Sequence, residues 1–128
     1  MISENKLKIA LQKSWFKESS SDVEKWTKLN PSYGQCAVTA LIVNDYLGGE
    51  IVWSDAILPT GEKISHYFNK INEVEIDFTK EQFPKGTKIS KGIAKTKEFN
   101  STREYILSYS STKIRYNLLK KRVEENLR

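Results

Sequence analysis

The stretch Ser32-Tyr33-Gly34-Gln35-Cys36-Ala37-Val38-Thr39-Ala40-Leu41 decides the fold, because here a turn leads into an apolar helix at the only cysteine of the chain. Apolar residues continue to Leu47, and Gly48-Gly49 can adopt the left-handed conformation that ends many helices. The pattern predicts a helix over residues 35–47 that is apolar over most of its circumference and therefore buried. The rest of the chain is expected to pack around it.

Cys36 is expected in the first turn of this helix, where backbone N–H groups have no helical partners and the helix dipole is positive. A thiolate is stabilised at such a position, which lowers the thiol pKa and favours reaction. Gln35 would supply an amide donor to an oxyanion formed on an attacked carbonyl, and the N–H of Cys36 a second donor. The alternative is that Cys36 only packs in the core, as free cysteines often do.

Strand patterns follow the helix over residues 51–53, 56–58, 64–69 and 74–78, which is typical of a small antiparallel meander. If the last two strands form a hairpin centred between Ile71 and Asn72, the single histidine, His66, lies directly opposite Asp77. In that arrangement Asp77 would orient the imidazole of His66, which would take the proton of Cys36. A lone histidine on a strand is otherwise more often structural.

Helices are predicted on both sides of this central region. An amphipathic helix is expected within residues 2–15, and a short helix carrying Val23 and Trp26 is expected to begin at Asp22. A capping box over residues 101–104 and an apolar stripe from Ser110 onward predict two C-terminal helices. The lysine-rich residues 87–98 are expected to form a polar loop. These elements together predict an α+β fold.

Length and composition predict one domain over residues 1–128, large enough to bury a core without a disulfide. The single cysteine fits a reducing compartment, and no signal peptide or membrane span is recognisable, so a cytoplasmic protein without membrane contact is expected. One histidine and one cysteine make a poor ligand set for a metal, so neither a metal nor another cofactor is expected, and a metal hydrolase ranks behind the other functions.

The formal net charge of +5 is diffuse except near the C-terminus. Five basic residues gather there: Lys113, Arg115, Lys120, Lys121 and Arg122. Such a cluster can mark a nucleic-acid surface. Because Glu124 and Glu125 follow directly and no aromatic-rich strand accompanies it, an ordinary solvated face is expected and nucleic-acid binding is not.

The residues Gly34, Cys36, His66, Phe68 and Asp77 resemble the loose pattern of papain-like enzymes and of their transglutaminase-like core. More extensively, the segments GQCAVTALIVNDYLGGEI, HYFN and EIDFTKEQF, together with the N-terminal LQKSW, resemble the small bacterial YunG-like family of uncharacterised proteins. Similar sequences tend to carry tryptophan where Phe68 stands here, and a hairpin loop one residue longer. The resemblance implies a fold and the positions of the motifs, and it leaves the substrate open.

These observations predict an α+β, papain-like domain with its central helix packed on a small antiparallel sheet. The expected function is cysteine-dependent acyl hydrolysis or transfer on a peptide, amide or ester substrate, with Cys36, His66 and Asp77 as a triad and Gln35 at the oxyanion. Peptidase, amidase, deamidase and transferase share this first step, so the sequence leaves the choice open. The alternative is a catalytically inactive binding module whose basic C-terminal helix meets nucleic acid or an acidic protein.

Overall fold

The central helix is present as α2, Cys36–Leu47, in a computed structural model that describes residues 2–128 and leaves only Met1 outside. Over the described residues the chain is α+β, as predicted, with four α-helices and one antiparallel sheet of four strands. The other helices are α1 (Glu4–Ser14), α3 (Thr102–Leu107) and α4 (Ser110–Asn126). The strands are β1 (Glu50–Ile57), β2 (Lys63–Ile71), β3 (Val74–Ile76) and β4 (Lys88–Ile89).

Helix α2 is buried because its middle is apolar except for Thr39, whose hydroxyl accepts the indole N–H of Trp15. The six residues from Val38 to Val43 are each at most 2 % exposed, and α1, α4 and β2 cover the helix. The helix ends where predicted, since Gly48 and Gly49 have φ values of 76° and 74°. The side chain of Asn44 donates to the carbonyls of both glycines and closes the C-terminus.

The sheet has the order β3-β2-β1-β4. The first three strands form the predicted meander, although β1 is one continuous strand rather than two. Strand β4 was not predicted, because two residues are too few to show an alternating pattern. It lies in the lysine-rich loop and pairs Ile89 with Ala56, and a separate bridge joins Ile93 to Trp53. The loop is thereby fastened to the free edge of β1.

The register predicted for the β2–β3 hairpin is wrong. Asn69 pairs with Ile76, and the turn consists of Asn72 and Glu73, whose φ values of 51° and 67° are both left-handed. Two left-handed residues are typical of a two-residue hairpin turn whose twist matches the strands. The turn centre therefore lies one residue later than predicted, and every cross-strand partner shifts by two positions. Because the shift is even, each side chain keeps its predicted face.

The helix predicted to begin at Asp22 is also absent. Residues Lys17–Ser19 form a single 3-10 turn, and the chain then folds back as a loop against residues 33 and 34. Ser20 Oγ donates to the carbonyl of Tyr33 over 2.8 Å, and the N–H of Ser21 donates to the carbonyl of Gly34 over 2.9 Å. Serine hydroxyls favour such bonds to the backbone over helix formation. The loop thus supports the turn that precedes α2.

The C-terminal helices match the prediction. The side chain of Ser101 accepts the N–H of Glu104 and caps α3, while α4 packs along α1 and α2. Arg122 on α4 donates to the carbonyl of Ser14 at the end of α1 over 2.7 Å. Within residues 2–128, no helix combines the length and the apolar character needed to cross a membrane.

Candidate active site

Gly34 sets the approach of the chain to Cys36. Its φ is 72°, and a Cβ at this position would collide with Ser20 Oγ, so glycine is required both for conformation and for space. Its N–H donates to Oε1 of Gln82 over 3.1 Å, and its carbonyl accepts the N–H of Ser21. Two distant segments therefore hold Gly34, and Cys36 follows two residues later in a half-buried position.

The structure gives Gln35 a different place from the one predicted. Its side chain is fully buried, its Nε2 donates to the carbonyl of Phe16 over 2.9 Å, and its Oε1 accepts the hydroxyl of Ser19 over 2.8 Å. Because the amide is committed to these two partners, the contacts do not favour an oxyanion role. Gln35 instead ties the start of α2 to the segment that follows α1.

His66 lies in the middle of β2 and is fully buried. Its ring stacks on Phe68 with centroids 5.4 Å apart, and Phe83 approaches it edge-on at 5.0 Å. Its Nε2 is 2.7 Å from Oδ2 of Asp77. The ring is therefore held on two sides by aromatic side chains and at one nitrogen by a carboxylate.

Asp77 follows directly after β3 and is not the cross-strand partner of His66. The bond between them is diagonal, and it forms because the shifted register keeps both side chains on one face. Oδ1 of Asp77 accepts the N–H of Thr79 over 3.2 Å, so its two carboxylate oxygens have separate partners. The bond from Thr79 fixes the carboxylate so that Oδ2 points at the imidazole of His66.

Cys36 reaches β2 at an open stretch of its edge. Trp53 exchanges backbone hydrogen bonds of 2.7 and 2.9 Å with Ile93, so its polar groups point away from β2. The backbone groups of its partner Tyr67 must then point away from β1. Strand β3 pairs only with residues 69–71 and leaves this edge free, and the N–H of Tyr67 is directed at the sulfur of Cys36.

His66 and Asn69 lie on opposite faces of strand β2. Asn69 donates to the carbonyl of Ala40 and so faces α2. His66, an odd number of residues away, is on the opposite face. It nevertheless neighbours Cys36, because the start of α2 lies at the open sheet edge rather than behind the sheet. The imidazole therefore meets the thiol around the edge of β2.

The protonation of this pair follows from its surroundings. Burial raises the pKa of the Cys36 thiol, but the neighbouring His66 and the Tyr67 N–H outweigh burial, and the pKa is lowered. Burial likewise lowers the pKa of His66, whereas Asp77 and the Cys36 thiolate raise it to about 9. These opposite shifts favour a thiolate and an imidazolium at neutral pH.

The second ring nitrogen of His66 is left without a fixed partner. Nδ1 is buried and has no partner at full hydrogen-bond geometry within residues 2–128, while the Cys36 thiol lies close enough to raise the pKa of His66 both as a hydrogen-bonding neighbour and through its charge. Such loose contacts are common in unliganded active sites. Among the described residues, no group of three or more His, Cys, Asp or Glu side chains is arranged to hold a metal ion.

The sequence that builds this site is similar to known proteins. The model of the family described as "YunG protein" matches residues 3–128. The chain belongs to the YunG family. A relative in Bacillus subtilis (strain 168), "Uncharacterized protein YunG", is 44 % identical over 77 residues. That match covers 60 % of this chain and 60 % of the relative's length. No solved structure matches the chain.

Within this YunG family chain, Gln82 is a site residue that the sequence reasoning missed. It is 7 % exposed, its Oε1 accepts the N–H of Gly34, and its Nε2 has no partner within residues 2–128. Gln82 ends the single 3-10 turn Lys80–Gln82. The one available signal was its place in the EIDFTKEQF stretch, because no spacing rule connects Gln82 to Gly34.

Three of the five basic C-terminal residues bind within the protein itself. Arg115 donates to the carbonyl of Ser19, and Arg122 lies over the ring of Phe16 at 4.1 Å. Lys120 lies 5.6 Å from the ring centroid of Tyr116. The cationic groups that remain fully exposed are fewer than the sequence suggests, which weakens the case for a phosphate-binding face.

Proposed function

We propose that this protein catalyses cysteine-dependent acyl hydrolysis or transfer, with Cys36 as nucleophile, His66 as base and then acid, and Asp77 as the residue that orients His66. The observation that carries the proposal is the placement of His66 between two anions. One ring nitrogen is bonded to Asp77 at 2.7 Å, and the other is buried without a hydrogen-bond partner beside the thiol. This is the arrangement that activates a thiol.

The first half of the reaction follows from these positions. His66 Nδ1 holds the proton taken from Cys36, and the thiolate attacks the carbonyl carbon of an amide or ester. The carbonyl oxygen becomes an oxyanion, and the collapse of the tetrahedral intermediate breaks the bond to the leaving amine or alcohol. His66 returns its proton to that leaving group and a thioester remains on Cys36.

The N-terminal N–H groups of α2 are the donors best placed for the oxyanion. The first helical bond of α2 runs from Thr39 to the carbonyl of Gln35 over 2.9 Å, so the N–H groups before it lie outside the helical ladder. The N–H of Cys36 is one of them. With the amide of Gln35 engaged elsewhere, backbone groups take over the role that the sequence suggested for that side chain.

Attack of water on the thioester would make the protein a hydrolase, whereas attack of a second nucleophile would make it a transferase. The papain-like description belongs to the same proposal. Its support is a nucleophile at the start of a buried helix and a histidine and carboxylate carried by the adjoining sheet region.

The thiol pKa tests the proposal. Alkylation of native protein by iodoacetamide is expected to proceed at about pH 6, well below the pKa of about 8.5 of an ordinary thiol. His66→Ala is expected to slow this reaction, because the imidazolium that stabilises the thiolate is lost. Lys63→Ala, an exposed position on the same strand, is the control. Equal rates for wild type and His66→Ala would remove the case for the ion pair.

Acyl transfer is tested with p-nitrophenyl acetate as an activated ester. We expect a burst of nitrophenolate and an acetyl group on Cys36 that mass spectrometry detects, and neither in Cys36→Ala. Asp77→Asn is expected to slow acylation by p-nitroacetanilide, whose leaving amine must be protonated by an oriented imidazole, more than it slows alkylation by iodoacetamide, which needs only the thiolate. Full alkylation without any acylation would favour the inactive binding module.

A further inference from the structure

A cavity of about 300 Å³ opens beside Cys36 on the side away from Asp77. Strand β2 contributes Tyr67 to its wall, helices α3 and α4 contribute Tyr105 and Arg115, and Tyr109 comes from the link between these helices. Lys95 lines it from the loop that is fastened to β1. A volume of this size is at the small end of ligand sites and admits a compact group rather than an extended chain.

Apart from Cys36 itself, the charged residues that line this cavity are cations. Lys95 and Arg115 line it, and none of the lining residues among positions 2–128 is Asp or Glu. Both cations are half-buried, and neither forms a salt bridge within the described chain. Arg103 offers an internal comparison, since it pairs with Asp45 at 2.7 Å. Two half-buried cations therefore line one cavity without a carboxylate among its lining residues.

Both cations are held by uncharged neighbours, which leave their positive charges unneutralised. Arg115 donates from Nη1 to the carbonyl of Ser19 and from Nη2 to Thr112, each over 3.3 Å, which orients the guanidinium without neutralising it. The ammonium of Lys95 lies 4.2 Å from the ring centroid of Trp53, and that indole donates to Ser65 over 2.6 Å. The cations are therefore held at the cavity wall rather than free in solvent.

The geometry points to a carboxylate-binding site, and we propose that the acyl group accepted by Cys36 carries a carboxylate a few bonds from its reactive carbonyl, held by Arg115 and Lys95. This inference rests on the proposed function and specifies its substrate class. Guanidinium and carboxylate match in geometry, and a second cation adds attraction in a partly dehydrated cavity. The alternative is that Arg115 only supports the Ser19 carbonyl and offsets the charge of the thiolate.

Two alkylating reagents that differ only in charge distinguish these possibilities. Iodoacetate carries a carboxylate where iodoacetamide carries a neutral amide, and both lose iodide to the same sulfur. The ratio of their rate constants at constant ionic strength, compared with the ratio for the urea-unfolded chain, measures attraction for the carboxylate. Changes in the thiol pKa affect both reagents alike and cancel in the ratio. We expect the native ratio to exceed the unfolded ratio at least about threefold.

Variants assign this preference to the two cations. Arg115→Gln and Lys95→Met are expected to bring the ratio toward the unfolded value, and Arg115→Lys, which keeps the charge if the helix tolerates the change, is expected to keep part of it. Lys113→Gln, an exposed position on the same helix, is the control. A native ratio equal to the unfolded ratio, or a ratio that these variants leave unchanged, would overturn the carboxylate site.

A separate measurement keeps this inference distinct from the catalytic proposal. In Cys36→Ala, binding of succinate and of neutral succinamide is followed by backbone amide chemical shifts. We expect saturable shifts around the cavity for succinate alone, and their loss in the double variant that adds Lys95→Met. If succinate binds but Cys36 shows no enhanced reactivity, the catalytic proposal fails and the anion site stands. Equal shifts for both compounds would refute the anion site whatever the reactivity of the thiol.

Discussion

Replacing Asp77 by asparagine tests whether this carboxylate raises the pKa of His66. The pKa of His66, ordinarily 6.5, is raised to about 9, with burial opposing the increase and Asp77 and Cys36 causing it. Loss of an opposite charge at hydrogen-bond distance changes a pKa by roughly 1–3 pH units, and each unit corresponds to about 1.4 kcal/mol. Asp77→Asn is therefore expected to lower the His66 midpoint by that amount while preserving the size of the side chain.

The variant also changes which nitrogen of the neutral ring carries hydrogen. Asparagine can keep the bond from the N–H of Thr79, which leaves its NH₂ facing Nε2 of His66. A neutral imidazole would then accept at Nε2 and carry its hydrogen on Nδ1, beside Cys36. In that tautomer it cannot take the proton of the thiol, so acylation should fall more than the pKa change alone requires.

The assay is a proton NMR titration, which has one histidine signal to follow because His66 is the single histidine of the chain. The titration runs from about pH 5 to about pH 10, across the ordinary and the raised pKa. Asp55→Asn, which removes a carboxylate from β1, is the control. In Asp77→Asn combined with Cys36→Ala both anions are gone, and burial should bring the midpoint below 6.5. A wild-type midpoint near 6.5 that Asp77→Asn leaves unchanged would refute the reasoning.

Three further predictions concern the support of the site and its surface. Gln82→Leu removes the acceptor of the Gly34 N–H, and it is expected to lower the free energy of unfolding in urea by about 1–3 kcal/mol and to slow alkylation of Cys36 in the folded protein. Unchanged values in both measurements would show that this hydrogen bond does not stabilise the site. Gly92→Ala forces a methyl group against side chains of β1 and β2 and should cost about 1–3 kcal/mol, with Lys91→Ala as an exposed control expected within about 0.5 kcal/mol. Fluorescence anisotropy with a labelled oligonucleotide at low salt is expected to show no saturable binding, and tight binding that falls steeply with salt and with Lys121→Glu would instead support the binding module.

Much of the fold could be predicted because its signals are local. The apolar run of α2 and its ending at Gly48 are contained in consecutive residues, and helical periodicity carries them directly into structure. The cap of α3 at Ser101 is equally local. The helix expected at Asp22 failed because nearby serines form bonds to Tyr33 and Gly34, partners that no local pattern can indicate.

In the candidate site, too, some features follow from local sequence and others depend on the tertiary structure. The sequence determines that the one thiol begins a buried helix and that the one histidine and then Asp77 follow in the region of the strands. The tertiary structure decides the rest. The left-handed turn at Asn72 sets the register that makes the bond of His66 to Asp77 diagonal, and folding of residues 16–19 against α2 engages the amide of Gln35.

The residues that the sequence could not connect are those far apart in the chain. Gln82 reaches Gly34 across 48 positions, and Arg115 reaches the wall of the Cys36 cavity from the last helix. Periodicity and capping report which face of an element is apolar and where it ends. They carry no information about which distant element covers that face, because the choice depends on the packing of all elements together, and that packing exists only in the folded chain.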